Sequence, residues 1–468
     1  MMDIGKRSMM NSQSALQTVS HNVSNKNTEG YSRQRVEMQT TEPTGTGKLR
    51  IGNGAYAGNV ARVNNSYLEK QVEREGNTLG ERDTKSQMMV RVEQVFNEQM
   101  NKGLNKYVGE FFNSYRELSN SPENISLRNL VKESANFMAK DFNRVNTQLK
   151  KIQGEADFQI ATEVAEINSF TREIAQLNDK IQMVEINAQS ANDERDRRDL
   201  LIKKLSEKIN IRYSESEKGV MTITGGNTAV LVSGSQQRDL FVSGSSAREG
   251  KKEGNVDIFY KPNDTATPVN LTNQIKGGRL GGLLEVRDDF INKTLNQVDE
   301  MAYSLSTEVN KAHVAGYDRA GNKGVEFFDV SKGKADAAAN MKLNTAISQN
   351  AGLIVSGAQP NSPADNRIAN IISSLQYEKV LSGGESTVDD FYNNIVGNVG
   401  ITAGRANSEH EAQKGIVDQL KNIRESISGV SLDEETAKMI EYQKSFDASA
   451  RLIKTTDEML DTILSLKR

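Results

Sequence analysis

The chain has 468 residues, 36% of them apolar, with 59 basic and 62 acidic side chains and no cysteine. That length suits two to four domains, and so low an apolar share favours an elongated, helix-rich chain over one large core. A net charge of −3 creates no field to gather nucleic acid or an anionic membrane, and without cysteine there are no disulfides, thiolate zinc sites or thiol nucleophiles.

No apolar run is long enough for membrane insertion. Lys6 and Arg7 are followed by a mostly polar stretch, Ser8 to Ser14, so a secretory signal peptide is not expected. Met9, Ser12, Leu16, Val19 and Val23 recur at spacings of three and four, which predicts an amphipathic first helix. Asn25, Asn27 and Gly30 end it, glycine being able to take the left-handed conformation of a helix stop. Tyr31 to Thr41 reads as extended, and Pro43 to Gly58 as Gly- and Thr-rich loop. A helical pattern then runs from Ser66 to about Leu118, and Ser121-Pro122 interrupts it.

The strongest period in the chain follows, from Leu127 through Phe142, Ile152, Ile160 and Ile174 to Val184. It predicts one helix roughly 85 Å long, with Gly154 as a point of bending. After a turn near Ala188–Asn192, Leu200, Leu201, Leu205 and Ile209 mark another helix. The pattern becomes β-like at Ile211. Val220–Thr224 and Thr228–Val232 flank Gly225-Gly226-Asn227, a hairpin signal, and Leu240–Ser243 and Val256–Tyr260 read as further strands. Helix returns from Leu283 to Ala315, a polar Gly/Ala/Asn-rich insertion spans Val325 to Asp365, and the remainder is helical with an interruption around Gly397–Gly404. The last helix opens with a capping box, Ser431 and Glu434, and carries acidic residues on its positive end. Met439, Tyr442, Phe446, Ser449, Ile453, Thr456, Leu460 and Ile463 keep a three/four spacing to its end, where Lys467 and Arg468 suit the negative pole.

The fold class that results is mainly α with β-rich insertions: an elongated multi-domain rod, with terminal coiled-coil helices and a long helical-bundle middle. The expected division is a terminal helical region (1–40 with 429–468), a helical core (41–210 with 276–324 and 366–428), a β-rich outer domain (211–275) and a short polar insertion (325–365). Each terminal seam is narrow, and a lone helix of that kind is marginal in water, so a partner must cover it. Periodicity leaves open whether that partner is the other terminus or a neighbouring subunit.

Chemistry is sparse. His21, His313 and His410 are far apart and outside any zinc motif. The glycine pairs near Gly52 and Gly278 precede no phosphate-binding lysine. Asp318 to Asn322 departs from a calcium loop at Ala320 and Lys323 and reads as a turn. No nucleophile–base set is present, so no enzyme activity and no cofactor are expected.

The string His21-Asn22-Val23-Ser24-Asn25-Lys26-Asn27-Thr28-Glu29-Gly30-Tyr31-Ser32-Arg33-Gln34 resembles the N-terminal signature of flagellar rod, hook and junction proteins. Ser428-Gly429-Val430-Ser431-Leu432-Asp433-Glu434-Glu435, with Tyr442-Gln443 and Ala448-Ser449-Ala450-Arg451, resembles the ending of the FlgK family of hook-associated proteins. Gly278-Arg279-Leu280-Gly281-Gly282-Leu283-Leu284, Ala315-Gly316-Tyr317-Asp318 with Phe327-Phe328, and Asp196-Arg197-Arg198-Asp199 are similar to that family's internal strings, in the same order. Two features depart from it. The segment before His21 is shorter and more polar, and only the short stretch from Val325 to Asp365 stands where longer members carry a large β-rich outer domain.

The resemblance implies a structural subunit of the extracellular flagellum at the hook–filament junction. Its export would be unfolded, through the type III apparatus, without a cleaved signal peptide. Its partners would be further copies in the axial tube, the hook protein, the second hook-associated junction protein and an export chaperone on the C-terminal helix. Its termini would order on assembly. Leu16, Val19, Val23, Asn25, Gly30, Tyr31, Met439, Tyr442, Phe446, Ile453, Leu460 and Ile463 are the expected interface residues. Another axial protein, or a coiled-coil adaptor outside the flagellum, is the alternative.

Overall fold

The computed structural model describes residues 2–43, 52–97, 103–187, 189–216, 219–244, 255–263, 265–329 and 333–466. Lys467 and Arg468, expected at the C-terminal pole, lie outside that set, as does Ala188 in the expected turn. The chain opens with α1 (Met2–Ser24) and an antiparallel ribbon of β1 (Gln34–Thr40) and β2 (Ala55–Arg62), bulged at Glu37/Met38. α2 (Ser66–Val95) starts where the Asn65 side chain accepts the N–H groups of Tyr67 and Leu68. The expected single helix from Ser66 to Leu118 is in fact two, because the chain leaves the helix at Phe96 and re-enters through extended Gly103 at the start of α3 (Leu104–Asn120).

α4 (Ile125–Glu185) is the axis of the molecule, 61 residues and about 90 Å long. Gly154 does not interrupt it. A glycine costs about 1 kcal/mol in a helix, whereas each buried apolar side chain of the stripe Val131, Met138, Phe142, Leu149, Ile160, Ile167 and Ile174 contributes about 1.5–3. α5 (Asn192–Lys208) returns beside α4.

Two small antiparallel sheets follow. β3 (Ile211–Glu215), β4 (Met221–Gly225), β5 (Ala229–Ser233) and β6 (Gln236–Gln237) pair in that order, and β7 (Leu240–Gly244), β8 (Val256–Tyr260) and β9 (Val269–Asn270) form the second sheet. The β4–β5 turn places Gly226 and Asn227 in the left-handed region, as its sequence predicts. These strands fall in the stretch read as a β-rich outer domain, and their buried faces, with Ile223, Val232, Leu240 and Ile258, belong to the same continuous core as α4. Sheets this small cannot bury their own apolar face, so they take a helix as their second layer.

α6 (Gly278–Leu284), a π-helical stretch (Glu285–Ile291) and α7 (Asn292–Ala315) form one helical run that starts five residues before the expected Leu283. Gly278 has φ +68, and a Cβ there would stand 2.5 Å from the Lys208 carbonyl carbon, so the crossing of α6 over the end of α5 requires glycine.

The segment after α7 holds β10 (Phe328–Asp329), α8 (Ala337–Asn340), β11 (Lys342–Leu343), α9 (Thr345–Gln349) and α10 (Arg367–Ser374). It was expected to be a polar insertion, and it is so only in part: 348–350 and 359–364 are exposed, but Phe327, Phe328, Ile347, Ile354 and Val355 are fully buried in the common core. Three side chains of α7 pin it. Asn310 Oδ1 accepts the N–H groups of Phe327 and Phe328, at 2.9 and 2.8 Å. Asp299 accepts those of Asp336 and Ala338, both at 3.0 Å. His313 donates from Nδ1 to Val325 O and accepts at Nε2 from the Val355 N–H, 2.9 Å away. Burial pushes the His313 pKa down to about 4, which keeps the ring neutral.

α11 (Val388–Ser428) runs unbroken for 41 residues through the expected interruption at Gly397–Gly404. Its opposite face, with Val388, Phe391, Ile395, Val399, Ala403 and Ala406, is buried, and that outweighs the glycines. α11 lies antiparallel to α2 along a mostly polar ladder: Arg82–Glu409 at 2.5 Å, Gln413–Glu75 at 2.7 Å and Arg424–Glu69 at 2.9 Å. α12 (Leu432–Ser465) ends the chain. The architecture is mainly α and elongated, with small β insertions.

Candidate assembly interface

The two ends of the chain meet. α1 and α12 pack antiparallel, with Ser8 Oγ 2.7 Å from Ser449 Oγ, Ser12 Oγ 3.1 Å from Ser445 Oγ and Asn22 Nδ2 2.8 Å from Glu435 Oε2. At Gly5 a Cβ would stand 2.9 Å from Ile453 Cγ1, so the helices nearly touch there. The buried line of α1 is Gly5, Ser12, Ala15, Thr18, Val19 and Asn22, small and partly polar, rather than the larger side chains of the expected seam. Val19 is buried, whereas Met9, Leu16 and Val23 are half-buried. Close approach selects small residues on the line of contact and leaves the larger ones at its margins.

α12 is more exposed still. Of its 34 residues only Glu435 and Ser449 are buried. Met439, Tyr442, Phe446 and Ile453 are half-buried at the margins of the contact. Leu460 and Ile463, expected in the same seam, remain 45% and 63% exposed. Ile440 and Leu452 of α12 and Met10 of α1 are 53%, 44% and 55% exposed, although Leu452 Cδ2 reaches toward Gly5 of α1. Only Ala15 and Val19 of α1, and no apolar residue of α12, are fully buried, so the pair gains far less from burial than the α4 stripe and is marginal without further cover. The capping box is half formed. Ser431 Oγ accepts the Glu434 N–H at 3.5 Å, but the Glu434 carboxylate turns to Arg33 Nη1 at 2.6 Å.

A dense joint fixes this pair to the core. Asn22, 1% exposed, is its centre: Oδ1 accepts the Tyr31 hydroxyl at 2.7 Å and the Gln34 N–H at 2.9 Å, and Nδ2 donates to Gln34 O and Glu435. Tyr31 is buried beside Asp193 and Asp196, which raises its pKa and keeps the hydroxyl a donor. The Ser32 N–H donates to Asp196 Oδ2 at 2.8 Å, Gln34 Nε2 to Asp193 at 2.8 Å, and the Arg33 N–H to Ser428 O at 2.9 Å. Arg62 Nη1 bridges Asp196 and Asp199, each at 2.8 Å. Burial pushes the Asp196 carboxyl up, and the ion pair with Arg62 only partly offsets it. Arg424 reaches across to Glu69 and to Tyr31 O. Burial would raise Glu69, but Lys203 and Arg424 outweigh it and hold the carboxyl below its ordinary value. Gly30 turns the chain into the joint at φ +82, with a built Cβ only 2.9 Å from Leu200 Cβ. Asn25 holds the end of α1, its N–H and Nδ2 both donating to His21 O. The space left among Gly30, Asp196, Leu200, Lys203 and Arg424 is about 10 Å³, room for one water at most, so this side of the joint is solid, whereas a cavity of about 500 Å³ opens beside His21, Gln34 and Asp193.

The terminal strings of the sequence therefore meet in space. His21–Gln34 supplies one half of the joint, Ser428–Glu435 the other, and Asp196–Asp199 is the shelf they rest on. Asn22, Ser32, Gln34, Asp196 and Glu435 lie inside those strings but were not singled out as site residues. Arg62 and Arg424 carried no signal, since one arginine on a ribbon or helix looks like any other. Arg198 of the same shelf points the opposite way, to Glu215 at 2.6 Å and Gly219 O at 2.7 Å, and ties the β insertion to α5. His21 Nε2 lies 3.2 Å from Asp193, and no group of three or more metal-ligating side chains occurs among the described residues. No helix among them is long and apolar enough to cross a membrane.

The family described as the flagellar hook-associated protein FlgK helical domain matches residues 89–328, and the C-terminal region of the flagellar basal body rod FlgEFG proteins matches residues 425–466. Flagellar hook-associated protein 1 of Bacillus subtilis is 28% identical over 493 aligned positions, which cover 99% of this chain and 97% of that one. Flagellar hook-associated protein 1 of Salmonella typhimurium is 26% identical over 553 positions, covering 97% of both. The solved structure of the flagellar hook junction protein FlgK from Burkholderia pseudomallei superposes with a TM-score of 0.69 at 16% identity, over 76% of this chain and all of that one. That last likeness speaks for the fold alone.

Proposed function

The chain belongs to the FlgK family of flagellar hook-associated proteins, and from that premise we propose how it works as a structural subunit of the hook–filament junction. The α1–α12 pair is the part that enters the axial tube. Its exposed apolar side chains, Met10, Ile440 and Leu452 and the distal Leu460 and Ile463, are covered there by neighbouring copies. Leu16, Val19, Val23, Met439, Tyr442, Phe446 and Ile453 hold the pair together and border those side chains. Asn25, Gly30 and Tyr31 shape the joint, and Ser431 with Glu434 starts α12 at the point where it leaves the core. The mechanism is mechanical: bending and torque reaching the pair pass through the joint into α2, α11 and α4.

The observation that carries this reading is the contrast between the two ends of the molecule. The core is closed, whereas a 34-residue helix buries only two side chains. Such a helix is stable in water only with a partner on its open face. On this reading the subunit contacts further copies, the hook protein on one side and the second hook-associated junction protein on the other. The C-terminal helix takes an export chaperone before assembly, export through the flagellar apparatus needs no cleaved signal peptide, and the protein performs no catalysis.

Phe446→Asp and Ile453→Asp test it. Each places a charge on the half-buried margin of α12, 446 and 453 both facing α1. The core should fold and melt normally, and cells carrying either variant should lack filaments. Normal filament number and motility would overturn the proposal.

A further inference from the structure

Among the described residues three arginines are fully buried, and one of them has no counter-charge at bonding distance. Arg287, 0% exposed, pairs with Asp157 and Asp288 at 2.5 and 2.7 Å. Arg198, 1% exposed, pairs with Glu215 at 2.6 Å. Arg128, also 1% exposed, donates only from Nη2, to Pro122 O at 2.8 Å and Ser356 Oγ at 2.9 Å. Its Nε and Nη1 have no hydrogen-bond partner, and neither has the hydroxyl of Tyr115, 0% exposed and electrostatically coupled to Arg128.

The surroundings make a bare cation there costly. Arg128 stands in the first turn of α4, and its bond to Pro122 O turns the guanidinium back toward the positive pole of that 61-residue helix. Arg319 adds a like charge. Asp318, whose charge favours the cation, spends its oxygens inside its own turn, accepting from the N–H groups of Ala320 and Asn322 at 2.8 Å and from Asn322 Nδ2 at 3.1 Å. A desolvated guanidinium beside a helix N-terminus is unstable unless a negative charge completes it. We propose that Arg128 and Tyr115 hold a small monovalent anion of the halide class, bound to Nε, Nη1 and the phenol hydroxyl, as an internal tie between the start of α4, α3 and the 316–356 segment.

The test is crystals of the full chain soaked in sodium bromide, paired with melting of the protein in chloride and in gluconate at equal ionic strength. The expected results are an anomalous bromide peak within hydrogen-bonding distance of Arg128 Nε and Nη1, and a Tm rising about 1–2 °C for each tenfold increase in chloride above its dissociation constant. Tyr115→Phe keeps the ring and removes the donor, and should weaken the chloride dependence severalfold. Arg128→Met should abolish it, and the Tyr115 variant remains readable if that protein does not fold. A site at Arg128 filled by water without bromide signal overturns the proposal whatever the melting curves show, and so does a chloride dependence unchanged in Tyr115→Phe.

Discussion

Asn22→Ala should uncouple the terminal pair from the core without unfolding the core. The amide makes four hydrogen bonds, to the Tyr31 hydroxyl, to both backbone groups of Gln34 and to the Glu435 carboxylate. Three are between neutral groups, worth about 1 kcal/mol each, and the bond to the carboxylate is worth about 1.5–3, so the loss is about 4–6 kcal/mol if the site stays dry. Glu435 is 1% exposed and would be left with Lys438 alone, so water or a shift of α12 must follow. The backbone at 24–34 and at 429–431 then becomes accessible. Limited proteolysis of the purified chain should cut there at least tenfold faster than in the unsubstituted protein, while the Tm of the core changes by less than 2 °C. Equal cutting rates would mean that Asn22 does not carry the joint, and the reasoning from its four bonds would fail.

Other substitutions probe separate parts of the account. Gly30→Ala meets a left-handed φ of +82 and a 2.9 Å approach to Leu200 Cβ, so it should cost more than the usual 1–2 kcal/mol of αL strain and reduce motility; unchanged swimming would refute the tight turn. Glu73 is raised to about 7 by burial, although the Tyr213 hydroxyl bond opposes the rise. A carboxyl raised in the folded state contributes stability that is full below pH 4.5 and is lost as pH climbs to 7. Glu73→Gln should remove that decline and stabilise the protein at pH 8 but not at pH 4.5, read by urea melts at the two values. His313 is depressed to about 4 by burial, so its contribution is present above pH 6.5 and disappears as pH falls toward 4. His313→Leu should flatten that acid limb while costing about 2–4 kcal/mol at pH 7 for the two lost backbone bonds, and an unaltered acid limb would show that another group governs it.

Much of the helical scaffold was legible because α4 and α12 each keep one apolar or seam face over many turns, whereas the glycines of 397–404 hid the continuity of α11. The β4–β5 hairpin was legible because Gly226-Asn227 has few other uses. Three features were hidden for physical reasons. The 325–365 segment buries Phe327-Phe328, Ile347 and Ile354-Val355 as isolated spots among Ala, Asn and Gly, without a period, and Asn310, Asp299 and His313 pin it from another helix. The line of contact on α1 is made of Gly5, Ser12 and Ala15, which hydrophobicity does not mark, because helices that approach closely select for small size. The joint is a polar network whose key pairs are far apart in sequence, such as Ser32 with Asp196, 164 positions on, and no local pattern encodes such pairs.

The joint also explains why resemblance was concentrated in short strings. Asn22, Ser32, Gln34, Asp196 and Glu435 each satisfy a specific buried donor or acceptor, so their identities are constrained by geometry. The exposed backs of α11 and α12 carry no such requirement.

The central claim is that the open face of the α1–α12 pair is covered by neighbours in the flagellum. The chain has no cysteine, so a single Ile440→Cys creates a unique thiol at the middle of that face, where the native side chain is 53% exposed. Maleimide labelling of this variant should be rapid in the purified subunit and at least tenfold slower in isolated hook–filament junctions. A cysteine at exposed Ser382 should react equally in both. Equal labelling of position 440 before and after assembly would contradict the account.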